Sequence, residues 1–171
     1  MAMEPEAVEA AVRRLLAEVT TMTLATVQAG VPWATTVYFA PDGFNLVFLS
    51  SPGSRHCRNL AANAACAAAL SPEVSSWRDI LGLQMEGRAE LVAGLAAKAR
   101  AMAAYFAKFP FVKDLLTAPG ETASRMGRVS AHVFRPTTIR YIDNGPGFGT
   151  HFILRLDAGR LIGLPQREDG D

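Results

Sequence analysis

The sequence predicts an α+β domain in which six or seven antiparallel strands close into a barrel, with two principal helices set between them. Three observations carry this. Short β-rich runs separated by turn residues begin at Thr21, and runs so close together are antiparallel neighbours, because a parallel pair needs a long crossover. Two stretches, 4–19 and 94–109, have helical composition. A sheet of that size closes on itself, which removes its exposed edges.

The elements follow in order. Residues 4–19 put Val8, Ala11, Val12, Leu15, Leu16 and Val19 on one stripe with charges opposite, the pattern of an amphipathic helix. The runs TMTLATVQ, WATTVYFA and FNLVFLS are broken by a Gly30 turn and a Pro41-Asp42-Gly43 turn, which makes a β-meander. Ser51-Pro52-Gly53 ends the third run. Ser54 then precedes RHCRNLAANAA and reads as a helix N-cap. A strand over 66–71, a polar loop containing Trp77 and a longer strand from Ile80 to Val92 come next. An alanine-rich helix from Gly94 to Phe109 stops at Pro110. Residues 111–125 read as a short helix near 113–116 followed by a loop. Residues 128–143 read as a long strand, or two strands bent at Pro136, and 151–156 as the last one. The tail from about 157, and from Gly159 in particular, is polar and expected to fray. No repeat or low-complexity linker divides the chain, so residues 1–171 are expected to form a single domain.

Composition narrows the function. Seventeen basic and sixteen acidic residues leave a net charge of +1, which disfavours a nucleic-acid or general polyanion binder. Apolar runs stay well short of the ~20 residues of a membrane span. The acidic start lacks the basic and apolar regions of a secretory signal, so a cytoplasmic location is the expectation. Cys57 and Cys66 fit neither a C-x-x-C site nor a disulfide framework and are expected to be reduced. His56, His132 and His151 fit no metal-ligand spacing, and no metal is expected. Catalytic side chains are not identified: there is no G-x-S-x-G elbow, and Gly145-Pro146-Gly147-Phe148-Gly149 opens a strand instead of a helix, which reads as a structural turn and not a dinucleotide fingerprint. The basic residues are fourteen arginines and three lysines, a bias that the 29 alanines attribute mainly to a GC-rich genome.

One arginine is unusually placed. Arg55 and His56 fall in the first turn of a helix, where cations oppose the dipole unless an anion sits nearby. The free amides of that turn, the Ser54 hydroxyl and the Arg55 fork together suit a phosphate. The alternative is a solvated Arg-His pair on a surface helix. Thr35 and Thr36, on a preceding strand, add hydroxyls if the meander brings them alongside.

With these pieces in order (W-A-T-T-V-Y-F, a Pro-Asp-Gly turn, F-N-L-V-F-L-S-S, then S-R-H, then L-Q-M-E-G-R-A), residues 10–155 resemble the pyridoxamine-phosphate-oxidase-like flavin-binding split barrels. The ending T-I-R-Y-I-D-N-G-P-G-F-G is similar to an uncharacterised subgroup with a D-N-x-x-G-F-G motif. The resemblance implies a split β-barrel with FMN phosphate against Ser54 and Arg55, and His56 where the family often has lysine. Ser50 and Ser51 would follow the ring edge, Thr35, Thr36 and Val37 would flank it through the strand backbone, and Gln84 would offer its amide. It also implies a homodimer with flavins at the interface, which Trp77 or the Asp143–Phe148 loop would reach. The family's C-terminal arginine motif for pyridoxamine phosphate is not recognisable, and Asn63-Ala64 lacks the usual proline. Arg140 and Arg155 are the nearest other arginines for a substrate anion. The expected function is therefore that of an FMN flavoprotein exchanging a hydride or electrons with a small-molecule partner. The alternatives are a binding or storage protein for FAD, a deazaflavin or haem, with His132 or His151 as axial ligand, or a structural dimer without cofactor.

Overall fold

The computed structural model describes residues 4–117 and 119–168. Helix α1 (Pro5–Glu18) leads into β1 (Thr21–Gln28), β2 (Val31–Asp42) and β3 (Asn45–Ser50), then α2 (Arg55–Ala62), β4 (Ala65–Leu70), a single 3-10 turn at Trp77–Asp79 and β5 (Leu81–Leu91). Helices α3 (Leu95–Lys108), α4 (Phe111–Thr117) and α5 (Glu121–Met126) form one insertion. It is followed by β6 (Ser130–Asp143), β7 (His151–Asp157), β8 (Arg160–Leu161) and β9 (Gln166–Glu168). Among the described residues no helix is long and apolar enough to cross a membrane.

The sheet runs β3-β2-β1-β4-β5-β6 and closes when β6 pairs back to β3, so six antiparallel strands form a ring. The fourteen-residue β6 makes this possible. It pairs with β5 along most of its length, gives its first half to β3 and its second half to β7. Of the two readings of residues 128–143, the single long strand holds: register shifts between Glu86 and Gly87, with Gly87 opposite Pro136, and the strand continues through a bulge. Gly87 is required there, since a Cβ would lie 2.2 Å from the Arg135 carbonyl oxygen. The β1–β2 hairpin turns on Ala29 and Gly30, both with positive φ, as two-residue hairpins demand.

Alternation along the strands separates two cores. The inner faces hold Met22, Leu24, Phe39, Phe48, Phe134 and Leu154 against the α1 stripe. Ala40, Val47 and Val133 point outward and are covered by Ala101, Tyr105, Phe109 and Val112 of the helical insertion. Two expectations are corrected. Residues 121–126 are helical, because α4 and α5 pair with each other at the end of the insertion. The segment after Gly159 is not frayed as far as Glu168, since β8 and β9 both pair with β7 and complete its backbone hydrogen bonding.

Candidate functional site

Strand β3 ends at Ser50, and Pro52-Gly53 turns the chain into α2. Ser54 takes the extended N-cap conformation and accepts the Cys57 amide through Oγ at 3.3 Å. The amides of Arg55 and His56, at the first two helical positions, have no partner among the described residues, and the first turn contains no acidic side chain. Two donors and the positive end of the dipole are therefore presented together. The Arg55 guanidinium lies 4.3 Å from the centroid of Trp33. This stack holds a cation at a helix start that would otherwise repel it.

His56 turns the other way. It is 8% exposed, and its Nε2 lies 2.5 Å from Ser50 Oγ and 3.2 Å from Ser54 Oγ, so the ring braces the turn from behind. The Ser51 carbonyl accepts the Ser54 amide at 2.9 Å. On β2, Thr35 shares the Trp33 face and Val37 is in the core, whereas Thr36 points to the opposite face.

That opposite face is not covered by the helical insertion. Register aligns Thr36, Thr23, Ala69, Gln84, Arg140 and Ile153 in one row across six strands. Ala34, Ala25, Ala67, Glu86, Thr138 and Arg155 form the next. A cavity of about 350 Å3 lies at one end of it, lined by Thr23, Thr36, Ala69, Ile80 and Gln84. Gln84 Oε1 accepts from Arg140 Nη1 at 3.2 Å, and Arg140 also holds Glu168 and lies 3.0 Å from His151 Nδ1. Burial first and then the Arg140 charge hold the His151 imidazole below its ordinary pKa. Arg155 donates to Thr138 Oγ1 at 3.0 Å.

Trp77 lies apart from the α2 turn, on the 3-10 turn, with its ring edge-on to Phe148 at 5.9 Å. The loop that carries Phe148 is organised by buried Asn144, which donates to the Trp77 carbonyl at 2.9 Å and accepts the Gly149 amide at 3.0 Å. Thus Ser50, Ser51, Ser54, Arg55 and His56 gather at one turn, Thr36 and Gln84 line one cavity on the outer face, and Trp77 occupies a third place. Sequence reasoning missed Trp33 as the partner of Arg55, its only signal being its position at the start of the strand bearing Thr35, and named Asn144 only within the D-N-x-x-G-F-G motif, without its role in holding the loop.

The family model described as pyridoxamine 5'-phosphate oxidase matches residues 8–143. No curated protein matches the sequence. Among solved structures, a heme binding protein from Mycobacterium smegmatis superposes with a TM-score of 0.70 at 24% identity, covering 91% of this chain and 59% of that one. Campylobacter jejuni ChuZ gives 0.69 at 13% identity, covering 94% and 63%. General Stress Protein 26 from Bacillus anthracis str. Sterne gives 0.57 at 15%, covering 87% and 98%. The chain thus spans about three fifths of the first two proteins, and these likenesses are of fold. With a closed six-stranded ring, a capped helix start after the third strand and a family match across most of its length, the chain belongs to the pyridoxamine 5'-phosphate oxidase-like family.

Proposed function

We propose that this chain is an FMN-binding flavoprotein that works as a homodimer and exchanges a hydride or electrons with a small-molecule partner. The observation that carries it is the start of α2: two unpartnered amides, no carboxylate, and a guanidinium stacked in place on Trp33. A terminal phosphate matches this donor set in charge and number. The residues thus fit an FMN phosphate at Arg55 and the α2 amides, with Ser54 as the cap that fixes the turn and His56 as its brace.

Thr36 and Gln84 would line the ring, and Gln84 is already oriented by Arg140. A cavity of about 350 Å3 is at the small end of ligand sites, which fits one that a second copy completes across the uncovered face. The bound flavin would supply the redox chemistry at its N5, and the chain would supply the phosphate anchor, ring orientation and exclusion of water.

Haem, the alternative ligand, meets an obstacle at two of the three histidines. His56 Nε2 lies against Ser50 and Ser54. His151 Nδ1 accepts from Arg140, which can only donate, so in the neutral ring the proton sits on Nε2 and no lone pair is left for iron.

Fluorescence titration of wild type with FMN and with riboflavin, which lacks the phosphate, is the direct test. Arg55→Ala should weaken FMN about 10- to 100-fold, the cost of one charge-assisted contact of about 1.5–3 kcal/mol, and leave riboflavin little changed. Arg100→Ala, which breaks an exposed pair with Asp42, should leave both unchanged. Equal losses in the two variants would remove the phosphate assignment, and no measurable flavin affinity in wild type would remove the reading itself.

A further inference from the structure

Behind the α2 turn lies a second constellation that the flavin reading does not use. Cys57, at the third position of α2, is 6% exposed and borders a cavity of about 410 Å3 walled by Pro52, Leu60, Ala64, Leu91 and His132. These walls are mostly apolar. His132 reaches the cavity from β6, where it pairs with Phe48 in register and stacks on that ring at 5.2 Å. It is also only 6% exposed, and its Nδ1 lies 3.2 Å from the Ser130 carbonyl oxygen. A carbonyl only accepts, so Nδ1 carries the ring proton and Nε2 keeps its lone pair. An oriented, buried base beside a thiol is the arrangement that activates a cysteine nucleophile.

The two cysteines provide an internal contrast. Burial alone raises a thiol, and it pushes Cys66 up to about 12. At Cys57 burial is again the largest influence, but the polar neighbours His132, His56 and Ser54 together outweigh it and hold the thiol down to about 5. The helix start helps in the same direction. The one carboxylate lining the cavity, Glu90, is neutralised by Arg88 at 3.8 Å and Arg135 at 3.3 Å. Among the described residues no group of three or more His, Cys, Asp or Glu side chains is arranged to hold a metal ion.

We propose that Cys57 and His132 form a nucleophilic site that captures α,β-unsaturated carbonyl compounds with an apolar body by conjugate addition. His132 accepts the thiol proton, and the Cys57 sulfur attacks the β-carbon. A carbon–sulfur bond forms as the carbon–carbon π pair moves towards the carbonyl. His132 returns the proton to the α-carbon. The product is a thioether, and the net change is addition of thiol across the double bond, with no oxidant or reductant consumed. Cys57 directly follows the phosphate turn in α2 and shares Ser54 and His56 with it, while His132 and the cavity belong to the thiol alone.

The test is labelling of the purified full chain with N-ethylmaleimide, followed by peptide mass mapping from pH 4 to 9. An ordinary thiol is only ~0.3% thiolate at pH 6, while one near 5 is ~90% ionised and intrinsically less nucleophilic, which leaves a net advantage of roughly tenfold. Wild type should label at Cys57 and not Cys66 at pH 6, with a rate flat above pH 6 that halves near pH 5. A rate still climbing tenfold per pH unit through pH 8 would overturn the proposal, and this measurement needs no variant. His132→Gln should slow labelling at pH 6 about tenfold; an unchanged rate in a folded variant would remove the role of His132. N-phenylmaleimide should show saturation with concentration, whereas strict linearity would remove the cavity as its binding site.

Discussion

At the level of single residues, neighbours set what an ionisable group does here. Cys57 and Cys66 are nine positions apart, yet one thiol is held at about 5 and the other at about 12. The difference lies in three polar contacts supplied by residues on α2 and β6. This has a consequence for stability. With the folded thiol near 5 and the unfolded thiol near 9, the unfolded chain binds more protons between those values. The contribution of Cys57 is thus fully present above pH 9 and is lost as pH falls through 5. The stability difference between wild type and Cys57→Ser, measured by urea unfolding, should grow in favour of wild type from pH 5 to pH 9. A difference that stays flat would show that the thiol is not ionised in the fold.

At the level of elements, the helix ends rely on partners of very different sequence distance. The α2 start is closed by Ser54, three residues from the amide it accepts. The end of α1 has no basic residue in its last turn. Instead Lys108, from the end of α3, donates to the Leu16 and Val19 carbonyls at 2.9 and 2.6 Å while its ammonium lies 4.1 Å from the Phe39 centroid. That one side chain closes α1 and ties the helical insertion to the barrel. Lys108→Met keeps the stem and removes the donors. It should cost about 1–3 kcal/mol, read as a fall of several degrees in Tm. A change within half a degree would show that water caps those carbonyls equally well.

At the level of the whole molecule, the barrel has two unlike exteriors. One is buried under α3 and α4 through Ala40, Val47 and Val133. The other, centred on Ala25, Ala67, Ala69 and Thr23, carries small side chains there and is continuous with the Gln84–Arg140 end of the proposed ring site. Small residues let a second sheet approach closely, so this is the surface on which the proposed dimer would form. Ala67 is exposed, so Ala67→Arg leaves the barrel interior untouched. It should convert a dimer to a monomer by light scattering and weaken FMN binding in parallel. A variant that remains dimeric would move the interface elsewhere.

Much of the architecture was legible in the residues. The amphipathic stripe of α1, the β1–β3 meander, the Ser54 cap and the Gly94–Phe109 helix rest on local periodicity and turn chemistry, which act over a few positions. The gathering of Ser50, Ser54, Arg55 and His56 was legible too, because a strand, a tight turn and a helix start bring them together locally. Tertiary structure alone decided the rest. The strand after Val129 could continue or break at Pro136, and it continues because Gly87 on the neighbouring strand leaves room for a bulge. The polar tail through Glu168 becomes strand because β7 offers an edge to pair. Arg55 is poised by Trp33, α1 is capped by Lys108, and Cys57 shares a cavity with His132. Each of these depends on residues brought together by strand pairing and helix packing, and no local pattern encodes a contact whose partner is chosen by the closure of the sheet.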